Sequence, residues 1–385
     1  MTRFEFATAP RIVFGAGALR DAGRIAKDFG HRALIVTGRS SGRASALNLM
    51  LEEQGIARWT LALAGEPKIE DVERGVRLAR SEGCDLVIGF GGGSAIDAAK
   101  AVAALTTNGG EVLDYLEVIG RGKPLSNPPL PVIAVPTTAG TGAEVTRNAV
   151  LASPEHRVKV SLRGPRMLPR VALVDPELTC ALPAELTATT GLDALTQLIE
   201  PYVSCKANPL TDSICAEGMR RAARSLRRVF DNAADKSARE DMALASLFGG
   251  LALANAGLGA VHGFASPIGG MFPAPHGAVC AALLPRVMEA NIIALRERAP
   301  GGEALRRYNE VARLLVGRDR VGAAEGVTWV ADLCSHLKIL PLHRYGITAG
   351  DAPAIVAAAM KASSMKANPI ELTPEELRGI LERAM

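Results

Sequence analysis

The chain has 385 residues, 48% hydrophobic and 22% charged, with a formal net charge of +4. That length predicts two or three domains able to bury a sizeable core. There is no dense Lys/Arg block and aromatics are only 4%, which argues against nucleic acid and against an anionic membrane surface as partners.

Up to about residue 180, strand-like and helix-like segments alternate. Arg11–Phe14 predicts a short strand, followed by a helix that Gly15-Ala16-Gly17 opens. Ala33–Thr37 predicts a buried strand ending at Gly38, with a helix over 42–54 after it. Trp59–Leu63 predicts a strand, and 69–81 an amphipathic helix with Val72, Val76, Leu78 and Ala79 facing inward. Cys84–Ile88 is a short apolar run, as expected of a strand covered on both faces. It leads through Gly91-Gly92-Gly93-Ser94 into a helix reaching about Ala104. Three glycines let a ligand approach the backbone closely. Ser94 is placed to cap the helix, with Asp97 three residues on. Free N–H groups at such a helix start attract an anion, most often a phosphate. The pattern is neither G-x-G-x-x-G nor a Walker A loop, and by itself it fits a plain tight turn equally well.

Leu130–Val135 predicts another buried strand, running into Pro136-Thr137-Thr138-Ala139-Gly140-Thr141. An added hairpin is predicted at 148–152 and 158–162, and Val171–Val174 is the last strand. This order predicts an α/β domain with a Rossmann-like, mainly parallel sheet over 1–180. Ligands bind such sheets beyond the carboxyl ends of strands, where Gly38, residues 91–94 and residues 136–141 all fall. From 181 to 385 the texture is all helical, with helices predicted at 183–203, 209–230, 238–256, 276–291, 303–315, 323–337, 352–362 and 374–385.

The six cysteines (Cys84, Cys180, Cys205, Cys215, Cys280, Cys334) are scattered with no C-x-x-C pair, as expected of reduced thiols in a cytoplasmic protein. Met1 to Phe6 lacks the apolar core of a signal peptide. Ala278 to Leu284 is apolar but, ended by Pro285 and Arg286, is too short to span a bilayer.

A second constellation lies in the helical half. Asp193 and Gln197 are four apart and share a helix face. The helix around Asp193 is otherwise apolar, so its carboxylate needs a partner or a metal. His262 follows an alanine- and glycine-rich helix, and His276 starts another after Pro273-Ala274-Pro275. Four such side chains could hold a divalent ion, or they could be a capped Asp, a surface Gln and two hydrogen-bonded histidines.

These motifs together resemble the iron-containing (group III) alcohol dehydrogenases over essentially the full chain. The resemblance rests on Gly91-Gly92-Gly93-Ser94 with Asp97 and Lys100, residues 136–146, Asp175-Pro176, Gly191-Leu192-Asp193-Ala194, and Val261-His262-Gly263 followed by Pro275-His276-Gly277. It implies a dehydroquinate synthase-like architecture, NAD or NADP as coenzyme, a small alcohol or aldehyde as substrate, and a homodimer or larger homo-oligomer. It puts the diphosphate on Gly92, Gly93 and Ser94 with Asp97 behind, and Thr137, Thr138 and Thr141 along the adenine and ribose side. Lys159 would reach the ribose or phosphate. Gly38 stands where NAD-specific members often carry Asp, and with Arg39, Ser40 and Arg43 beside it the balance tilts toward NADP.

The resemblance assigns the metal (Fe or Zn) to one Asp and three His. Asp193, His262 and His276 match, but Gln197 stands where a histidine is expected, and Ser266 where a further histidine often relays protons. Two routes follow: a metal polarising the substrate oxygen, held by Asp193, Gln197, His262 and His276, or His262 and His276 supplying that help without metal. Two rivals share the fold, a sugar-phosphate cyclase-like lyase and a catalytically degenerate nucleotide-binding relative. The lyase would need basic residues at its substrate site, and neither 193–203 nor 263–278 contains Lys or Arg.

Overall fold

Short runs of aliphatic residues form a six-stranded parallel sheet: β1 (Arg11–Phe14), β2 (Arg32–Thr37), β3 (Ala57–Ala62), β4 (Leu86–Gly91), β5 (Val132–Pro136) and β8 (Val171–Val174), in spatial order β1-β8-β5-β4-β2-β3. The computed structural model describes residues 3–39 and 41–385. The sheet belongs to a compact unit of Thr8–Thr138 and Gly142–Cys180. Its helices are α1 (Ala22–Lys27), α2 (Ser45–Glu53), α3 (Ile69–Ser81), α4 (Gly93–Thr107) and the short α5 (Val112–Tyr115).

Side chains alternate across each strand, so one residue run feeds two cores. Ile35, Ile88 and Ile133 pack with Ile25, Leu47 and Leu51 of α1 and α2. Leu34, Val87 and Val132 pack with Val72, Val76 and Val102 of α3 and α4 on the opposite face. That double cover is why these strands read as continuous apolar runs.

The hairpin β6 (Asn148–Ser153) and β7 (Val158–Arg163) is a separate antiparallel pair. Ala149, Leu151, Val160 and Leu162 join the core around α4. Asp97 ties it down: one carboxylate oxygen accepts the Val150 N–H (3.0 Å) and the other meets Lys100 Nζ (2.9 Å). Lys100 is 1% exposed and also donates to the Ala143 carbonyl (3.0 Å) and Thr146 Oγ1 (2.9 Å), so this buried cation is well partnered.

The second unit contains the segment ending at Ala7, Ala139–Thr141 and Ala181–Met385. It is built from α6 (Ala184–Val203), α7 (Pro209–Asp231), α8 (Lys236–Ala256), α9 (Ala260–Met271), α10 (His276–Arg298), α11 (Glu303–Val316), α12 (Ala323–His336), α13 (Ala352–Lys361) and α14 (Pro374–Ala384). Two boundaries differ from the sequence expectation. His262 follows the alanine- and glycine-rich α8 as expected, but it lies inside a further helix, α9, and α10 runs on past Asn291 to Arg298. Glycines at 263, 269 and 270 cost α9 about 1 kcal/mol each and Pro267 about 3. Val261, Phe264 and Ile268, all 0% exposed, offset this at about 1.5–3 kcal/mol each. By length and composition α10 could cross a membrane, but 78% of its apolar window is buried in the unit, so it is a core helix.

Proline occurs inside α6 (Pro201), α9 (Pro267) and α10 (Pro285). Each lacks the N–H that would bond the carbonyl four residues back, freeing those of Gln197, Gly263 and Ala281. Cys334 Sγ donates to the Ala281 carbonyl at 3.5 Å.

Candidate active site and metal centre

In the α/β unit, the carboxyl ends of β2, β4 and β5 lie side by side, with Thr37 opposite Phe90 and Gly91 opposite Pro136. Strand order turns from one side of the sheet to the other between β2 and β4, the position where open α/β sheets bind ligands. A Cβ on Gly91 would sit 2.7 Å from Ala95 Cβ and 3.5 Å from the Gly38 nitrogen, so only glycine permits this approach. A Cβ on Gly92 would lie 3.3 Å from Thr138 Oγ1.

The helix start corrects one expectation. Gly92, in extended conformation, is the cap residue, and Ser94 lies within the first turn without capping it. The amides of Ala95 and Ile96 bond the Gly92 carbonyl at 3.0 and 3.2 Å. The Gly93 and Ser94 amides precede this ladder, at the helix end that favours anions. Asp97 is not in a capping box, because its oxygens serve Val150 and Lys100.

The other expected coenzyme residues are placed as follows. Thr137 is buried, its N–H donating to the Gly91 carbonyl at 2.9 Å. Thr138 is half-buried beside Gly92, while Thr141 groups with the helical unit. Lys159 is engaged by Glu66 at 2.6 Å. Gly38 has open space where a side chain would project, and Arg39 donates to the Ala64 carbonyl at 2.9 Å. Ser40 lies outside the described residues.

The helical unit brings the second constellation together. Asp193 and Gln197 of α6, His262 of α9 and His276 at the first position of α10 come from three helices. Asp193 Oδ1 lies 3.3 Å from His262 Nε2 and 3.7 Å from His276 Nε2, and the two rings are 5.4 Å apart. Gln197 is not a surface residue: it is 2% exposed, and Asp193 1%. His276, its side chain 33% exposed, is the open edge of the cluster. Gly277 sets the spacing of α10 and α6, since a Cβ there would lie 2.7 Å from the Thr189 carbonyl oxygen.

Two members escaped the sequence reading. Cys280, 0% exposed, brings its sulfur to 3.9 Å from His262 Nε2 and 3.7 Å from His276 Nε2. Glu200 holds His262 Nδ1 at 2.6 Å and also accepts the Val261 N–H at 2.7 Å. Both carried a signal. Cys280 is one turn after His276, and Glu200 is the third member of the i, i+4, i+7 series begun by Asp193 and Gln197. Cys280 belongs to no C-x-x-C pair, and a lone Glu on an apolar helix looks like a surface residue.

The electrostatics fit a cation. Burial opposes charge on His262, but the Cys280 sulfur, Glu200 and Asp193 outweigh it and hold the ring well above its ordinary pKa. His276 is raised against burial by Cys280 and Asp193. Burial likewise opposes ionisation of Asp193, yet His276, His262 and the Gln197 amide keep it below its ordinary value. Among the described residues, Asp193 Oδ1 and Gln197 Oε1 are buried with no hydrogen-bond partner. Each such atom costs about 1–3 kcal/mol, and a divalent ion would satisfy them. A carboxylate, two imidazoles, a thiol and an amide oxygen are a fitting donor set for a transition metal.

Residues 9–176 match the family described as iron-containing alcohol dehydrogenase, and residues 187–385 match the Fe-containing alcohol dehydrogenase family C-terminal domain. The chain belongs to the iron-containing alcohol dehydrogenase family. It is 36% identical over 379 residues to alcohol dehydrogenase 4 of Schizosaccharomyces pombe, covering 97% of this chain and 87% of that protein. A crystal structure of 1,3-propanediol oxidoreductase superposes with a TM-score of 0.92 at 33% identity, covering 100% of both chains. Sulfoacetaldehyde reductase from Bifidobacterium kashiwanohense, solved in complex with NAD+, superposes at 0.88 with 27% identity, covering 100% of this chain and 99% of that one. This iron-type alcohol dehydrogenase is therefore an oxidoreductase that interconverts alcohols and aldehydes, and membership implies NAD(H) and a divalent metal.

Proposed function

We propose that the α/β unit (1–180) binds the dinucleotide and the helical unit (181–385) holds the metal and substrate, interconverting a small alcohol and its aldehyde or ketone by hydride transfer. One observation carries the metal half of this reading: two imidazole nitrogens each lie within 3.7 Å of one buried, unbonded carboxylate oxygen in a chain of this family. The Gly93 and Ser94 amides would hold the diphosphate, Thr137, Thr138 and Thr141 would line the adenine side, and Lys159 would exchange Glu66 for the coenzyme. Asp97 would support the glycine turn indirectly, through its bond to the hairpin.

Asp193, His262 and His276 would hold the ion, with Gln197 Oε1 a further oxygen donor. When bound, the coenzyme supplies or takes the hydride and the divalent ion draws charge from the substrate oxygen. Glu200 fixes the His262 ring so that Nε2 faces the site, the usual outer partner of a ligating histidine. His276, on the open edge, is the imidazole nearest the solvent that must exchange protons with substrate.

The coenzyme preference is proposed to tilt toward NADP, supported by the open space at Gly38 and the absence of a carboxylate there. A homodimer or larger homo-oligomer in the cytoplasm accompanies the proposal, on the resemblance and the scattered cysteines. The test is steady NADH and NADPH oxidation with a panel of small aldehydes, beside metal analysis of the purified protein. Coenzyme binding without turnover across the panel would leave only the degenerate nucleotide-binding relative.

A further inference from the structure

Gln197 leaves the metal site short of a strong donor, since a neutral amide oxygen binds iron or zinc more weakly than imidazole. The structure supplies a replacement from another helix. Cys280 is one turn after His276 on α10, so both project from the same face. The donor atoms of Asp193, His262, His276 and Cys280 all lie within 4.8 Å of one another. A tetrahedral site with metal–sulfur bonds of about 2.3 Å and metal–nitrogen bonds of about 2.0 Å separates its donors by roughly 3.3–3.6 Å. The Asp193–His262 separation of 3.3 Å, and the sulfur–nitrogen separations of 3.7 and 3.9 Å, need only a few tenths of an ångström of closure. A further atom points to a missing ligand here, the unpartnered oxygen of Asp193, on a side chain at least nine-tenths buried.

We propose that Cys280 is a metal ligand, bound as its thiolate, and completes a set of Asp193, His262, His276 and Cys280. This rests on the reading above that the cluster holds a divalent ion. Gln197 then becomes a positioning residue, one turn from Asp193 on the same face of α6. The chain has exchanged a histidine on α6 for a cysteine on α10. Thiolate is a softer donor than imidazole or carboxylate, so the exchange shifts preference from iron toward zinc.

The test uses the full chain stripped of metal and reloaded with Co(II) alone, then with Zn(II) and Fe(II) in competition. Thiolate ligation gives the cobalt protein a near-ultraviolet sulfur-to-metal charge-transfer band. The expected result is a band in wild type and in Gln197→Ala that is absent in Cys280→Ser and Cys280→Ala. Outer partners of ligands are worth about 10–100-fold in metal affinity, so loss of Cys280 itself should weaken Zn(II) by on the order of 100-fold or more, and Fe(II) by less. Retained thermal unfolding and coenzyme binding in the variants would show that the fold survives. A wild-type band that is missing, or that persists in both Cys280 variants, overturns the assignment while leaving the proposed function intact. Failure of wild type to bind any of the three ions overturns both.

Discussion

His262 owes its aim to Glu200, a contact of 2.6 Å that turns one imidazole nitrogen outward and leaves the other for chemistry. Replacing His262 or His276 by Ala should lower kcat by on the order of 100-fold or more, the range for removing one acid–base or electrostatic group, with coenzyme affinity near wild type. Steady-state kinetics beside NAD(P)H fluorescence titration checks this, and wild-type rates in both variants would remove the two rings from the reaction. At the coenzyme end, Gly38→Asp places a carboxylate where side-chain space is open. It should cut kcat/KM for NADPH by roughly tenfold or more and leave NADH nearly unchanged, since a carboxylate accepts ribose hydroxyls and repels a 2′-phosphate. Equal losses for both coenzymes would mean that the ribose lies elsewhere. Asp193, His262 and His276 could be named from the sequence only through the family resemblance, because their spacing alone also fits a capped Asp and two hydrogen-bonded histidines. Cys280 could not be named, because a buried cysteine reads as an ordinary small hydrophobe until its neighbours are known.

The glycine turn between β4 and α4 and the close approach of α10 to α6 are where elements position the chemistry. Gly277 is the contact point of the second pair. Gly277→Ala would push a Cβ to 2.7 Å from the Thr189 backbone and move the start of α10, with His276, away from Asp193. Metal affinity should fall by about 10–100-fold, as for other changes that disturb ligand aim, while coenzyme binding persists. Calorimetric titration with Zn(II) measures it, and unchanged affinity would show that α10 is set by other contacts. The strands were legible because β2, β4 and β5 are apolar runs buried on both faces. The helix α9 was not. Its sequence AVHGFASPIGGM combines glycine and proline, which local propensity reads as loop, and only burial of Val261, Phe264 and Ile268 makes it a helix. Ser94 was misplaced as a cap because Gly92, with no side chain, leaves nothing for a capping pattern to detect.

Across the whole molecule, acid and base stability is the property to test. Glu144 sits in the turn after the threonine loop, 2% exposed, and burial raises its pKa from 4.5 to about 7 against its own backbone N–H and the charge of Lys100. A carboxyl raised in the fold favours the folded state below its unfolded pKa. That advantage is lost as pH climbs from 4.5 through 7, because the unfolded chain gives up its proton first. The span corresponds to about 3 kcal/mol. Glu144→Gln should therefore be more stabilising at pH 8 than at pH 4.5 by up to about 3 kcal/mol, read from urea unfolding at the two values. A difference that does not change with pH would mean that the carboxyl is ionised throughout. The prolines at 201, 267 and 285 also act at this scale. Each removes a rung one turn beyond a residue of the cluster or its immediate neighbour, so each of the three rods lacks one axial bond beside its donor. With that bond gone, the packed interior of the bundle bears more of the load of keeping each donor in place, so changes in that packing should reach the cage directly.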